Sequence, residues 1–138
     1  MGNYTLTIIK PDAYHVSDQI TKRIAFEGFR VISMKAIMLT SKQASEFYSV
    51  HKGKDFYEDL IKFMTSGPII VYGLEKENAV DSFRNLIGST DPKEANPGTI
   101  RSMYGKAVSS NAIHGSDSDE NAKKEILFFF PEIEQKIK

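Results

Sequence analysis

Tyr4-Thr5-Leu6-Thr7-Ile8 alternates apolar with polar side chains, the period of a half-buried strand, and the pattern stops at Lys10-Pro11-Asp12. Lys10 therefore falls at a strand's carboxyl end. Downstream, Ser17 is placed to cap a helix carrying Ile20 and Ile24, with Gly28 to end it. A second strand is expected from about Arg30 to Leu39, with Ile32, Met34, Ala36 and Met38 on one side. Thr40 and Gln43 form a capping-box pair ahead of Ala44, Phe47 and Tyr48, and Asp55 with Glu58 repeats that spacing before Leu60, Phe63 and Met64. Residues 40 to 66 thus read as a helical hairpin, broken by Gly67-Pro68.

Ile69-Ile70-Val71-Tyr72 is a strand apolar on both sides, and Val80, Phe83 and Ile87 mark a helix ending near Gly88. From Ser89 to about Asn111 periodicity fades, leaving room for one helical turn between Thr99 and Tyr104; loops of that length usually bind something. A brief strand at Ala112-Ile113 meets His114-Gly115-Ser116-Asp117, and a helix with Ala122, Ile126 and Phe129 on one face follows. The order is strand, helix, strand, helices, strand, helix, loop, strand, helix. It is a split βαβ unit written twice, which predicts an α+β sandwich of the ferredoxin-like class: a four-stranded antiparallel sheet with helices packed on it. Such a fold hosts many activities, so function has to be argued from a site.

The 138 residues, 41% hydrophobic and 26% charged, suit one domain spanning 1–138. Lysine plus arginine equals aspartate plus glutamate at 18 each, so no global field favours nucleic acid or an anionic membrane, and any anion site must be built locally. The absence of cysteine excludes disulfides, thiolate metal sites and thiol catalysis. The apolar run around Ile69 to Leu74 is far short of the ~20 residues of a membrane span. Met1-Gly2-Asn3-Tyr4 lacks the basic and apolar regions of a signal peptide, which makes the cytoplasm the expected location.

Neither a P-loop nor a G-x-G-x-x-G turn occurs, G-x-S-x-G is missing, and no histidine pair has zinc-ligand spacing. What remains is histidine and cations. His114 sits at a strand-to-helix junction where small Gly115 leaves the ring approachable, and an imidazole whose proton is fixed by a partner is a competent nucleophile for phosphoryl transfer. Glu125 projects on or beside the apolar face of the last helix, where an unpaired carboxylate is costly, so it needs Ser116 or the His114 ring as a neighbour. Lys10, Arg84 and Arg101 come from three separate elements and are candidates to neutralise a transferring phosphoryl group. Taken singly, each also reads as an ordinary solvated charge. His15 and His51 have no convergent partners in the sequence and receive no role.

Lys10-Pro11-Asp12, Thr65-Ser66-Gly67-Pro68, Gly88-Ser89-Thr90-Asp91-Pro92, Pro97-Gly98-Thr99-Ile100-Arg101 and Asn111-Ala112-Ile113-His114-Gly115-Ser116-Asp117-Ser118 together resemble nucleoside diphosphate kinases, in order and at family spacing. The resemblance covers nearly the whole chain. It implies ping-pong transfer of the γ-phosphate from a nucleoside triphosphate to a diphosphate, ribo or deoxy, through a phosphohistidine at His114 supported by Glu125 and Ser116. It implies that Lys10, Tyr48, Arg84, Thr90 and Arg101 hold the phosphates or shield the transferred group. Asn111 with Lys10 would meet the sugar hydroxyls, and Phe56, Leu60 and Val108 would sandwich the base. Mg2+ would ride on the nucleotide phosphates with Asp117 near its water shell, and the chain would form a homo-oligomer, a tetramer or hexamer built from dimers. Two departures stand out: the stretch from Ala13 to Gln19 is about two residues shorter than usual and lacks the usual glycines, and Asp55 replaces a common proline. The alternatives are a catalytically silent module that binds nucleotides or single-stranded nucleic acid, and a phosphocarrier that hands its phosphate to a partner protein.

Overall fold

The computed structural model describes residues 2–137. Its elements are β1 (Tyr4–Ile9), α1 (Ser17–Phe26), β2 (Arg30–Ile37), α2 (Ser41–Phe47), α3 (Tyr57–Met64), β3 (Ile69–Glu75), α4 (Ala79–Ile87), α5 (Ile100–Tyr104), β4 (Ile113–Gly115) and α6 (Asp119–Phe129). The strands lie in the order β2-β3-β1-β4, every neighbouring pair antiparallel, which is the ferredoxin-like arrangement expected. No helix among the described residues is long and apolar enough to cross a membrane.

Helices cover both faces of the sheet. On one, Ile20 and Ile24 of α1 and Phe83 and Ile87 of α4 pack with Ile9, Tyr72, Leu74 and Ile113. On the other, Ala44 of α2, Met64 of α3 and Ile126 and Phe129 of α6 pack with Leu6, Ile8 and Val71. β1 is therefore buried on both faces rather than one, and Thr5 and Thr7 are fully enclosed. Alternation misled here because Thr7 is polar for a reason other than solvent: its hydroxyl donates to the His114 carbonyl at 2.8 Å.

Three local expectations are corrected. Ser17 does not cap α1, because a 3-10 turn at Pro11–Val16 runs directly into the helix and the Tyr14 carbonyl already accepts the Ser17 N–H. Asp55 does not cap α3 either; the helix begins two residues later, Phe56 holds the capping position, and Glu58 lies in the first turn, where its charge suits the helix dipole. In β2 the register shifts between Val31 and Ser33, so Ile32 is an extra residue and the alternation changes phase. Ile32 and Ile37 then pack into the core, while Met34 and Met38 are exposed at the edge. Gly73 sits opposite this bulge, where a Cβ would run into the Ser33 hydroxyl. The Thr40–Gln43 capping box forms as expected.

Candidate active site

β4 pairs with β1 so that His114 lies opposite Ile8 and faces α2 and α6. Its Nε2 is 2.9 Å from Glu125 Oε1, and the Ser116 hydroxyl donates to the same oxygen at 2.6 Å. A carboxylate only accepts, so Nε2 carries the proton and, in the neutral ring, Nδ1 keeps the free lone pair. Glu125 comes from the middle of α6, on the side the helical spacing anticipated. The Leu6 N–H donates to the Ser116 hydroxyl at 3.2 Å, which ties this triad to the middle of β1. Phe47 closes the ring's other side edge-on, centroids 5.7 Å apart at 73°. From sequence, Phe47 read only as one of the residues sharing a face of a short helix with Ala44 and Tyr48.

Gly115 has a different use from the one expected. It lies opposite Thr7, on the face away from the His114 ring, and a Cβ there would come within 2.9 Å of Ile87 and 3.0 Å of Phe83. Its smallness lets α4 pack closely under β4.

The three residues before His114 are held tightly. The Ile113 N–H donates to the Asn111 carbonyl at 2.9 Å across Ala112, whose φ is +76°, so residues 111–113 form a γ-turn of the strained hand. Such a backbone costs on the order of 1–3 kcal/mol and persists only where its surroundings enforce it. The Ala112 N–H donates to Asp12 Oδ2 at 3.1 Å, and the Ala112 carbonyl accepts the Lys10 N–H at 2.9 Å. Buried Asn111 accepts from Lys10 Nζ at 2.8 Å and donates to the Thr90 carbonyl at 3.0 Å. The role of Asp12 was missed in the sequence; its signal was membership of the Lys10-Pro11-Asp12 motif, with nothing local to show what it would touch.

Burial and the nearby Arg101 charge push the pKa of the Lys10 ammonium down to about 8, with Asp12 opposing them. Arg101 is not a free hand. It is buried, donates from Nη1 to the Gly88 carbonyl at 3.0 Å and from Nη2 to the Ile113 carbonyl at 2.8 Å, and so braces β4 against the turn after α4. Burial, then the Arg84 charge, hold its pKa down to about 10. Arg84, Thr90 and Arg101 line one cleft of about 410 Å³ together with Gly88, Asn96 and Thr99.

Tyr48 is buried, and its hydroxyl has no hydrogen-bond partner among the described residues. Burial and the Glu125 carboxylate raise it above the ordinary tyrosine range, so it stays a donor. His51 lies between Tyr48 (6.4 Å, stacked) and Phe56 (5.2 Å), a bridge that no local pattern predicts. Phe56 is 49% exposed with Lys54 Nζ over its ring at 5.8 Å. Val108 stands exposed beside the Ala107–Ser110 bridge, whereas Leu60 is half-buried against the second core cluster. Among the described residues no three His, Cys, Asp or Glu side chains converge as a metal cage. Asp117 is exposed, with Oδ1 accepting from Asn121 at 2.7 Å.

The profile of the family described as "Nucleoside diphosphate kinase" matches residues 3–135. A nucleoside diphosphate kinase of a Nitratiruptor species is 52% identical over 132 residues, covering 94% of this chain and 96% of that protein. Another from Campylobacter hominis is 52% identical, with coverages of 91% and 93%. Among solved structures, the Aquifex aeolicus nucleoside diphosphate kinase superposes with a TM-score of 0.91 at 41% identity, covering 94% of this chain and 96% of that one. The halophilic enzyme of Halobacterium salinarum in complex with CDP gives 0.88 at 34% identity, with coverages of 94% and 88%. A histidine–carboxylate pair joining β4 and α6, a cleft lined by Arg84 and Arg101 and these similarities lead to one assignment: the chain belongs to the nucleoside diphosphate kinase family, a family of phosphotransferases.

Proposed function

We propose that this protein, acting as one domain, moves the γ-phosphate of a nucleoside triphosphate to a nucleoside diphosphate by way of a phosphohistidine at His114. The observation that carries the reading is the His114–Glu125–Ser116 triad, in which the Glu125 carboxylate accepts a hydrogen bond from Nε2–H and leaves the Nδ1 lone pair free to attack. In the first half-reaction the Nδ1 lone pair attacks the γ-phosphorus and the bond to the β,γ-bridging oxygen breaks. The diphosphate leaves with that oxygen, and a second diphosphate attacks in reverse. The Tyr48 hydroxyl and the Lys10 ammonium are donors available to the equatorial oxygens, and Arg84, Thr90 and Arg101 line the cleft suited to the remaining phosphates. Asn111 and Lys10 suit sugar hydroxyls. Mg2+ on the phosphates would neutralise charge, with Asp117 disposed toward its water shell. The fully formed triad gives no support to a silent binding module. A coupled assay of triphosphate-to-diphosphate transfer tests the reading, and no transfer above background would overturn it.

Phe56, with Leu60 and Val108, offers apolar surface to the base and no hydrogen-bonding group for its edge, so purine and pyrimidine nucleotides should both serve. The Halobacterium relative was solved with a pyrimidine nucleotide, CDP. Replacing Phe56 by alanine is expected to weaken nucleotide binding by ~1–3 kcal/mol, measured by calorimetry with two different bases. Equal affinity in wild type and variant would contradict this.

Lys10 gives a pH signature. Its charge is present below about 8 and lost above it. A bound polyanion favours the charged form, so kcat/KM, which reports the free enzyme, should fall as pH rises through about 8 while kcat holds to higher pH. Lys10→Arg should remove that limb from the kcat/KM profile. A profile flat to well above this range in the native protein would rule Lys10 out of phosphate binding.

The reading extends to a cytoplasmic setting and to a homo-oligomer, a tetramer or hexamer built from dimers. Association is supported by the edge strand β2, which exposes Val31 and Met34 along an unpaired side, with exposed Met38 just beyond its end.

A further inference from the structure

We propose that Asp12 is a positioning residue for the transfer reaction: by holding the amide of Ala112 it fixes the γ-turn that sets Asn111 and His114 in their working places. The proposal rests on the reading of His114 as the phosphorylated residue.

Ala112 is fully buried and carries a side chain at φ +76°, a conformation that L residues other than glycine rarely adopt. Left to itself, the 111–112 peptide would relax toward extended backbone. Asn111 precedes the turn's centre by one residue and His114 follows it by two, so relaxation would move both side chains at once.

Three contacts oppose it. Lys10 grips the turn twice, through its backbone N–H to the Ala112 carbonyl and through Nζ to Asn111. Asp12 alone holds the Ala112 N–H. Without Asp12 that buried donor would be orphaned inside the fold, and a peptide flip is the simplest way to recover a partner. The carboxylate itself sits in costly surroundings. Its Oδ1 is buried without a hydrogen-bond partner among the described residues, and burial raises its pKa against the opposing effects of the Ala112 N–H, Lys10 and Lys106. A residue serving stability alone gains little from such a position; one that locks a phosphate-facing cation and the nucleophile's strand in one register has a use for it.

The test is a double-mutant cycle of Asp12→Ala and Ala112→Gly, with Asp12→Asn alongside. The readouts are single-turnover labelling of His114 from a γ-labelled triphosphate, hydrogen exchange of the residue-112 amide, and melting temperature. Asp12→Ala should slow labelling roughly 30- to 100-fold, the scale of a misplaced reacting group. It should also accelerate exchange at the amide. Asp12→Asn keeps an oxygen acceptor and should stay within about fivefold of wild type. Glycine adopts positive φ without strain, so Asp12→Ala should slow labelling by less than about fivefold in the Ala112→Gly background. An equal loss in both backgrounds, or labelling by Asp12→Ala at the native rate, overturns the proposal. Should Asp12→Ala fail to fold alone, folding and labelling of the double variant support it, and failure of the double variant counts against it. Absence of label on the wild-type protein would instead sink the nucleophile reading, while unchanged amide exchange in Asp12→Ala would sink the pin on its own.

Discussion

Replacing His114 by alanine is expected to abolish both turnover and covalent labelling while nucleotide binding survives. The chemistry requires a lone pair on an approachable nitrogen, and the structure presents one: Nε2 is taken by Glu125, and Nδ1 is left free on a ring that is 19% exposed. Direct transfer between two bound nucleotides would need a second base surface and a second set of phosphate-facing cations. Arg84, Thr90 and Arg101 share one cleft, and on the proposed mechanism the phosphate waits on the protein between substrates. Incubation with a γ-labelled triphosphate and magnesium should therefore put at most one phosphate on each chain, acid-labile and base-stable, and any diphosphate should discharge it. The alanine variant should take up none, yet retain affinity because Phe56, Arg84 and Arg101 are untouched. Exchange at the native rate by that variant would show the mechanism to be wrong.

The second large effect is expected at Glu125. Its Oε1 accepts from both His114 and Ser116, and a glutamine oxygen can still accept those bonds, so Glu125→Gln should fold and bind normally. What it loses is the negative charge facing a ring that becomes electron-poor as the N–P bond forms. Effects of that kind are worth ~10²–10⁴-fold, and the loss should appear in the rate of labelling rather than in nucleotide affinity. Stopped-flow measurement of the labelling step reads it directly. A rate within about threefold of wild type would leave Glu125 a packing residue only.

The parts legible in sequence were those written in local periodicity. Helical spacing turned Glu125 toward the core beside His114, the Thr40–Gln43 pair capped α2, and the order of strands and helices led to the observed sheet. What stayed hidden depends on partners distant in the chain. The β2 bulge needs Gly73 opposite it, and the polarity of Thr7 makes sense only once β4 lies alongside. His51 gains its place between Tyr48 and Phe56 from the turn after α2, and Arg101 becomes a brace because two backbone carbonyls meet it. The contact of Asp12 with Ala112 spans 100 residues, beyond the reach of any local pattern.

That separation also governs when the protein becomes competent during its synthesis. β1 leaves the ribosome well before β4, yet its open side is closed only by β4, through pairs such as Thr7 with Gly115. The face that α2 and α3 cover in part is completed only when α6 arrives with Ile126 and Phe129. Contacts joining such distant segments close a long loop before they return any stability, so they form late. Until α6 docks, His114 lacks the Glu125 carboxylate that orients its ring. On the proposed mechanism catalytic competence and closure of the sheet coincide, and a covalent phosphate on His114 would mark a molecule with β4 and α6 docked.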